Sequence, residues 1–254
     1  MSAIHVFIIS WRGQHNRAAH IAKSIDGAAD NISIVYSDPD SAPEALNGHN
    51  LIHRDDSLYW ADKFQACIEH CKPDEIMLVI HADCQCDDWP SVVTRCKAAF
   101  EKYADLGVWS PRLTGTPWRL ERTRMRRIPD SNCSVVAQTD GIVFALSPSL
   151  YDRMKRLDYN NNLYGLGIDW LFICATYAQG KLAVVDEGIL VRHCVTRGYS
   201  TEDARAQKRA FLTQMTPDEY DAYMRLKGHM HKRRIPSKIL YFFERMAPRK
   251  TLYS

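Results

Sequence analysis

The sequence predicts an α/β protein: a mixed, mainly parallel sheet flanked by helices, followed by a basic helical tail. Three observations predict it. The chain opens as strand, helix, strand between Ile4 and Tyr36, which implies a parallel pair joined by a right-handed crossover. Ile76-Met-Leu-Val-Ile80 is a short continuous apolar run, as expected of a strand covered on both faces. Helical segments then alternate with further short apolar runs, and no internal repeat or low-complexity linker interrupts them.

The elements follow in order. Ile4 to Ile9 is the first strand, ending at Ser10-Trp-Arg-Gly13, and Asn16 to Ile25 reads as a helix. Ile32 to Tyr36 is the second strand, closed by the turn residues Ser37-Asp-Pro-Asp-Ser41. No Gly-rich phosphate fingerprint follows the first strand; Gly13 stands alone, which argues against a dinucleotide fold. Any nucleotide must be gripped another way, and Asp38 is placed to accept hydrogen bonds from a base or ribose. Pro43 to Asp56 reads as a polar loop, and Ser57 as the cap of a helix over Leu58–Cys71 that Lys72-Pro73 ends. The strand at Ile76 leads to a helix over Ser91–Tyr103, with Pro90 in its first turn.

Gly107 to Pro111 is a short strand. Residues 112–133 carry Arg112, Arg119, Arg122, Arg124, Arg126 and Arg127 without clear periodicity, and read as a mobile basic loop. Such a loop is either a solvated surface or a flap over phosphates or an anionic acceptor. Ser134–Gln138 and Gly141–Leu146 are strands, and Ser147-Pro-Ser149 starts a helix through Leu157. A helix from Trp170 to Gln179 stops at Gly180; strands at Leu182–Val185 and Ile189–His193 follow, then a loop. Thr201 to Lys227 is helical, with a second start at Thr216-Pro-Asp-Glu219.

Composition sets the limits. The 254 residues are 46% apolar, enough for a sizeable core, and no apolar run spans a bilayer. The start lacks the pattern of a signal peptide, so a cytoplasmic protein is expected, with its eight cysteines reduced. Cys67, Cys71, Cys84 and Cys86 with His70 and His81 do not match the common zinc spacings; Cys67 and Cys71 suit a buried helix face with Trp60 and Phe64. The net charge of +3 is uneven. From Arg225 to Ser254 nine basic residues face only Glu244, leaving the first 224 residues at −5. The tail from Gly228 mixes these charges with Ile239, Leu240, Tyr241, Phe242 and Phe243. It suits either an interfacial helix on an anionic inner leaflet, making the protein peripheral to the cytoplasmic membrane face, or packing on the body or another subunit.

The residues that carry chemistry stand where apolar runs end. Side chains two apart on a strand share a face, so His81 and Asp83 are expected to project together from the carboxyl end of the central strand. Ligands bind at that edge in open α/β sheets, and a carboxylate beside an imidazole can share a divalent metal.

The order of these clusters resembles the family-2 glycosyltransferases of the GT-A, Rossmann-like fold, at motif level and over about residues 1–200. Ser37-Asp38-Pro-Asp40-Ser41 is similar to that family's base-binding Asp-Asp-Gly-Ser segment. His81-Ala-Asp83 stands where the family has Asp-x-Asp, with His81 replacing the first Asp. Ile168-Asp169-Trp170 matches the second member of its Glu-Asp pair, and His193 occupies the place of its metal-site histidine. The Gln-x-x-Arg-Trp signature of processive members is absent.

The resemblance implies residues 1–200 as the nucleotide-sugar-binding and catalytic domain, with 201–254 as a helical, basic extension. It implies Mn²⁺ or Mg²⁺ on Asp83 and His193, with His81 as a further ligand, and Asp169 as general base. Imidazole ligands favour Mn²⁺. Rival readings are a capping acid for Asp83, a buried hydrogen-bonded histidine for His193, and a helix N-cap for Asp169. Ser10, Trp11 and Arg12 are placed to stack on and hydrogen-bond a base, or form a core Trp and a surface Arg. Lys63 faces phosphates or is solvated; Asp140-Gly141 is a donor-sugar or acceptor segment, or a plain turn. Arg197 and Tyr199 are placed to close over the diphosphate.

The expected activity is transfer of one sugar, with inversion, from a nucleoside-diphosphate sugar, UDP favoured, to a glycan or lipid-linked acceptor in polysaccharide biosynthesis. Two rivals are a nucleotidyltransferase of sugar phosphates and a nucleic-acid-binding module. The poor phosphate loop at Ser10–Gly13 disfavours the first; the acidic balance of residues 1–224 disfavours the second, so no nucleic-acid partner is expected.

Overall fold

The computed structural model describes residues 3–39, 43–193 and 200–233. Its strands are β1 (Ile4–Trp11), β2 (Asn31–Ser37), β3 (Leu51–His53), β4 (Ile76–His81), β5 (Cys84–Gln85), β6 (Leu106–Thr114), β7 (Arg124–Arg127), β8 (Cys133–Val136), β9 (Val143–Leu146) and β10 (Leu182–His193). Its helices are α1 (His15–Ser24), α2 (Trp60–His70), α3 (Trp89–Lys102), α4 (Leu120–Thr123), α5 (Tyr151–Lys155), α6 (Ile168–Ala178), α7 (Thr201–Leu212) and α8 (Pro217–Lys232). The strands form a single ten-stranded sheet in the order β3-β2-β1-β4-β9-β6-β10-β8-β7, with β5 pairing β10. β3, β2, β1, β4, β6 and β10 run one way, while β9, inserted between β4 and β6, runs against them. This is the mixed, mainly parallel sheet expected.

The continuous apolar runs are explained by cover on both faces. Along β1, Val6 and Ile8 enter one core and Phe7 and Ile9 the other; along β4, Leu78 and Ile80 oppose Met77 and Val79 in the same way. α1 and α3 close one side, and α2, α5, α6, α7 and α8 the other. Each fully buried Phe, Ile or Leu contributes about 1.5–3 kcal/mol, so the two cores fix the sheet on which the polar ends sit.

Several boundaries differ from expectation. Residues 43–56 are not wholly loop: they hold a 3₁₀ turn at Glu44–Leu46 and β3. Ser57 does not cap α2, which starts after Tyr59; its amide and hydroxyl donate to Asp55 instead. α3 begins two residues early because Asp88 accepts from the Ser91 amide. The basic segment 112–133 is ordered, through the end of β6, α4, and β7 paired antiparallel to β8. The helix at Ser149–Leu157 is a 3₁₀ turn followed by the short α5. The two strands at 182–193 are one, with a register shift between Asp186 and Leu190.

The second helical start is capped as expected, Thr216 and Glu219 forming a reciprocal capping box. The seven described cysteines are free, with Cys67 and Cys71 buried. No helix among the described residues is long and apolar enough to cross a membrane. The tail from residue 234, with the membrane reading attached to it, lies outside the described residues.

Candidate functional site

The parallel strands deliver the expected residues to their carboxyl edge. Ser10 and Trp11 end β1, Asp38 follows β2, and in register Trp11 stands opposite Ser37 while Ile9 stands opposite His81. α1 begins four residues after Trp11 and brings His15 back over the edge. His15 Nδ1 lies 2.8 Å from Ser10 Oγ, and its Nε2 lies 3.0 Å from Asp38 Oδ2. Arg12 Nη2 donates to the other Asp38 oxygen at 3.4 Å. Ser10, His15 and Asp38 are buried, whereas the Arg12 side chain is 60% exposed. The result is an anchored carboxylate with an exposed guanidinium above it.

Beside this lies the central cluster. Asp83 is in the turn after β4, and β10 ends at His193, whose Nε2 is 3.0 Å from Asp83 Oδ2. The two meet because β5, directly after Asp83, pairs with the end of β10: His193 stands opposite Cys84. The Asp83 hydrogen bond raises the His193 pKa. Burial alone would raise Asp83, but the bond to His193 and the charges of both imidazoles outweigh it and hold the acid below its ordinary range. β4 ends at His81 and Asp83 lies in the turn that follows, and the two groups act on each other: the carboxylate favours the charged imidazole, and the imidazole helps to lower the acid. The His81 ring meets Trp60 edge-on at 4.5 Å and Trp11 at 6.2 Å, and burial pushes its pKa down to about 4.

Among the described residues, three buried polar atoms here have no hydrogen-bond partner: Asp83 Oδ1, His193 Nδ1 and His81 Nε2. These are donor types that a divalent cation accepts, and Asp83 and His193 are the residues that would hold one. The three residues do not converge on one point. Among the described residues, only one trio of His, Cys, Asp or Glu has its ligand atoms all within 4.8 Å, and that trio is elsewhere.

The third group comes from β9 and α6. Asp140 precedes β9 and accepts from Thr116 Oγ1. Burial raises its pKa to about 6, and the negative charge of Asp169 adds to the effect. Asp169 is not the N-cap of α6. That position is Gly167, at φ +97°, and Asp169 lies one residue inside the helix, after Ile168. Trp118 Nε1 and Gln138 Nε2 donate to Asp169 Oδ2 at 2.9 and 3.1 Å. Burial raises the Asp169 pKa although Lys208 of α7 opposes it. Trp60 links the groups: a Cβ added to Gly165, at φ +67°, would lie 2.3 Å from its ring, so only glycine lets the loop before α6 close on it.

Lys63 is buried rather than solvated. Its ammonium donates to the carbonyls of Leu58 and Tyr59, and its charge reaches His81. Arg197 and Tyr199 lie outside the described residues, as do Asp40 and Ser41. Sequence reasoning missed His15, Trp60's contact with His81, Thr116, Trp118 and Gln138. The one local signal was His15, a polar residue opening the first helix behind Ser10.

No protein-family model matches the chain, and no curated protein matches its sequence. Among solved structures it resembles GalNAc-T7 with UDP, GalNAc and Mn²⁺, at TM-score 0.62 and 11% identity over 87% of this chain and 49% of that one. This chain therefore spans about half the length of that structure. A second resemblance is to CMP:2-keto-3-deoxy-manno-octonic acid synthetase complexed with CTP, at TM-score 0.49 and 12% identity over 84% of this chain and 99% of that one. The first likeness, with the strand order above, defines the class by fold: an α/β protein of the GT-A type.

Proposed function

We propose that the chain is a metal-dependent, inverting glycosyltransferase that moves one sugar from a nucleoside-diphosphate sugar to a glycan or lipid-linked acceptor. The observation that carries this reading is the Asp83–His193 contact, with polar atoms that have no hydrogen-bond partner among the described residues, on the same sheet edge as the Asp140–Asp169 pair. The structural likeness to a protein holding UDP, GalNAc and Mn²⁺ supports it.

Asp83 and His193 would hold Mn²⁺ or Mg²⁺, which when bound neutralises the diphosphate as it leaves. Asp38, fixed by His15, accepts hydrogen bonds from the base or ribose, with Arg12 and Trp11 beside it; UDP is the favoured donor nucleotide. Asp169 takes the proton from an acceptor hydroxyl. The hydroxyl oxygen bonds to the anomeric carbon while the bond to the diphosphate breaks on the opposite face, so configuration inverts. A base with an elevated pKa accepts that proton more readily, and Trp118 and Gln138 hold the carboxylate in orientation.

Calorimetry with UDP and Mn²⁺ tests the donor site: binding is expected to require the metal and to be lost on Asp83→Ala. Asp169→Asn is expected to bind donor normally and lose transfer by about 10²–10⁴-fold. Full transfer activity in that variant would remove Asp169 as the base.

A further inference from the structure

At the other end of the same strands lies a cluster that the proposed reaction does not use. His5 is near the start of β1, Cys71 follows α2 and Glu75 precedes β4; all three are buried. Their Nδ1 or Nε2, Sγ and carboxylate oxygen atoms lie within 4.8 Å of one another, and His5 Nδ1 is 3.3 Å from Glu75 Oε2. Donors around a tetrahedral zinc, with bonds of about 2.0–2.3 Å, stand roughly 3.3–3.8 Å apart. The His–Glu distance already falls in that range, and Cys71 needs to approach by about 1 Å at most.

The groups behind these three are also arranged as a metal site requires. His5 Nε2 is 2.8 Å from Ser33 Oγ, which itself accepts from Asn50, so the tautomer with Nδ1 bare is available. Glu75 Oε1 is held by Asn31 at 2.7 Å and Lys72 Nζ at 3.2 Å, and Oε2, which accepts from the Lys72 amide at 3.2 Å, faces His5. Cys71 Sγ is 3.4 Å from the Tyr151 hydroxyl. A cavity of about 510 Å³, lined by His5, Ser33, Asn50, His53, Arg54 and His70, adjoins the cluster at His5.

We infer that His5, Cys71 and Glu75 bind a zinc-type transition-metal ion that ties the α2–β4 connection to β1. One imidazole nitrogen, one thiolate and one carboxylate oxygen suit Zn²⁺ or Co²⁺ rather than Mg²⁺. On binding, the Cys71 thiol loses its proton to solvent and its sulfur bonds to the ion, with no change of oxidation state. The site is independent of the one at Asp83 and does not rest on the proposed transferase activity.

Co²⁺ is the probe, added to the metal-free full chain and followed by thiolate-to-metal charge-transfer absorption. The expected result is a band that saturates stoichiometrically, is displaced by Zn²⁺, persists in Asp83→Ala and disappears in Cys71→Ser. Glu75→Gln should weaken Co²⁺ at least about tenfold. No band in the wild-type chain overturns the inference and leaves a plain buried His–Glu pair. A band retained by Cys71→Ser overturns it as well, since another cysteine then supplies the thiolate. Should Cys71→Ser not fold, His5→Gln, which keeps the thiol, decides the matter: Co²⁺ affinity equal to the wild type rejects the site.

Discussion

Asp140 shows how one side chain couples the site to stability. It accepts from Thr116, faces the charge of Asp169, and has a pKa of about 6 in the fold because burial disfavours its charged form. Its pKa is raised above the unfolded value, so the folded chain binds this proton more tightly than the unfolded chain. The charged form therefore costs stability above about pH 6, and the cost is relieved as pH falls through that value toward 4. Asparagine keeps the acceptor for Thr116 and removes the charge. Asp140→Asn should melt about 2–6 °C higher than the parent at pH 7.5, corresponding to about 1–2 kcal/mol, with the gain shrinking to nothing near pH 4. Melting curves by circular dichroism across that range check it.

The same scale shows what spacing along the chain conceals. Asp38, Asp83 and His193 are legible because each is a polar residue at or just past the end of an apolar run. Trp118 and Thr116 are not, because their partners are 51 and 24 residues away and nothing local marks the pairing. The edge-on contact of His81 with Trp60 was not legible either, since the two rings are brought together only by the packing of α2 against the end of β4.

At the scale of elements, the start of α8 carries two jobs on one side chain. Glu219 closes the capping box with Thr216 and is gripped by Arg153 of α5 through Nε at 2.7 Å and Nη2 at 2.8 Å, almost out of solvent. Arg153 also donates to the Gln214 carbonyl at 2.6 Å, so it ties the α7–α8 turn as well. Removing the carboxylate charge strands a buried guanidinium. Glu219→Gln should cost about 3 kcal/mol, seen as a lower urea midpoint with an unchanged slope. The capping box was readable as Thr-Pro-Asp-Glu, whereas the ion pair spans 66 residues and was not.

Long apolar elements were read correctly for the same reason that short polar ones were missed. β1 and β4 declare themselves by burial on both faces. β3 has three residues at a sheet edge and β7 is Arg-Met-Arg-Arg; strands that bury so little show no period to detect.

For the molecule as a whole, the last two described helices decide how it unfolds. Phe211 of α7 and Ala222, Leu226 and Met230 of α8 belong to the same core as Phe64, Phe144 and Phe172. Trp170 meets Tyr223 at 4.7 Å on one side and Trp118 at 5.6 Å on another. Trp118 in turn holds Asp169, so packing by α8 reaches the candidate base through two aromatic rings. Each of Phe211, Leu226 and Met230 contributes about 1.5–3 kcal/mol of burial, and together they equal a large part of the 5–15 kcal/mol typical of a fold. We expect the full chain to unfold in a single urea transition that is the same by tryptophan fluorescence and circular dichroism. A chain ending at residue 200 should bind a hydrophobic dye and lose its cooperative melt, even though every strand of the sheet is still present. If the shortened chain instead melts as sharply and at the same temperature as the full one, residues 201–233 are an appendage, and the path from α8 to Asp169 carries no energy.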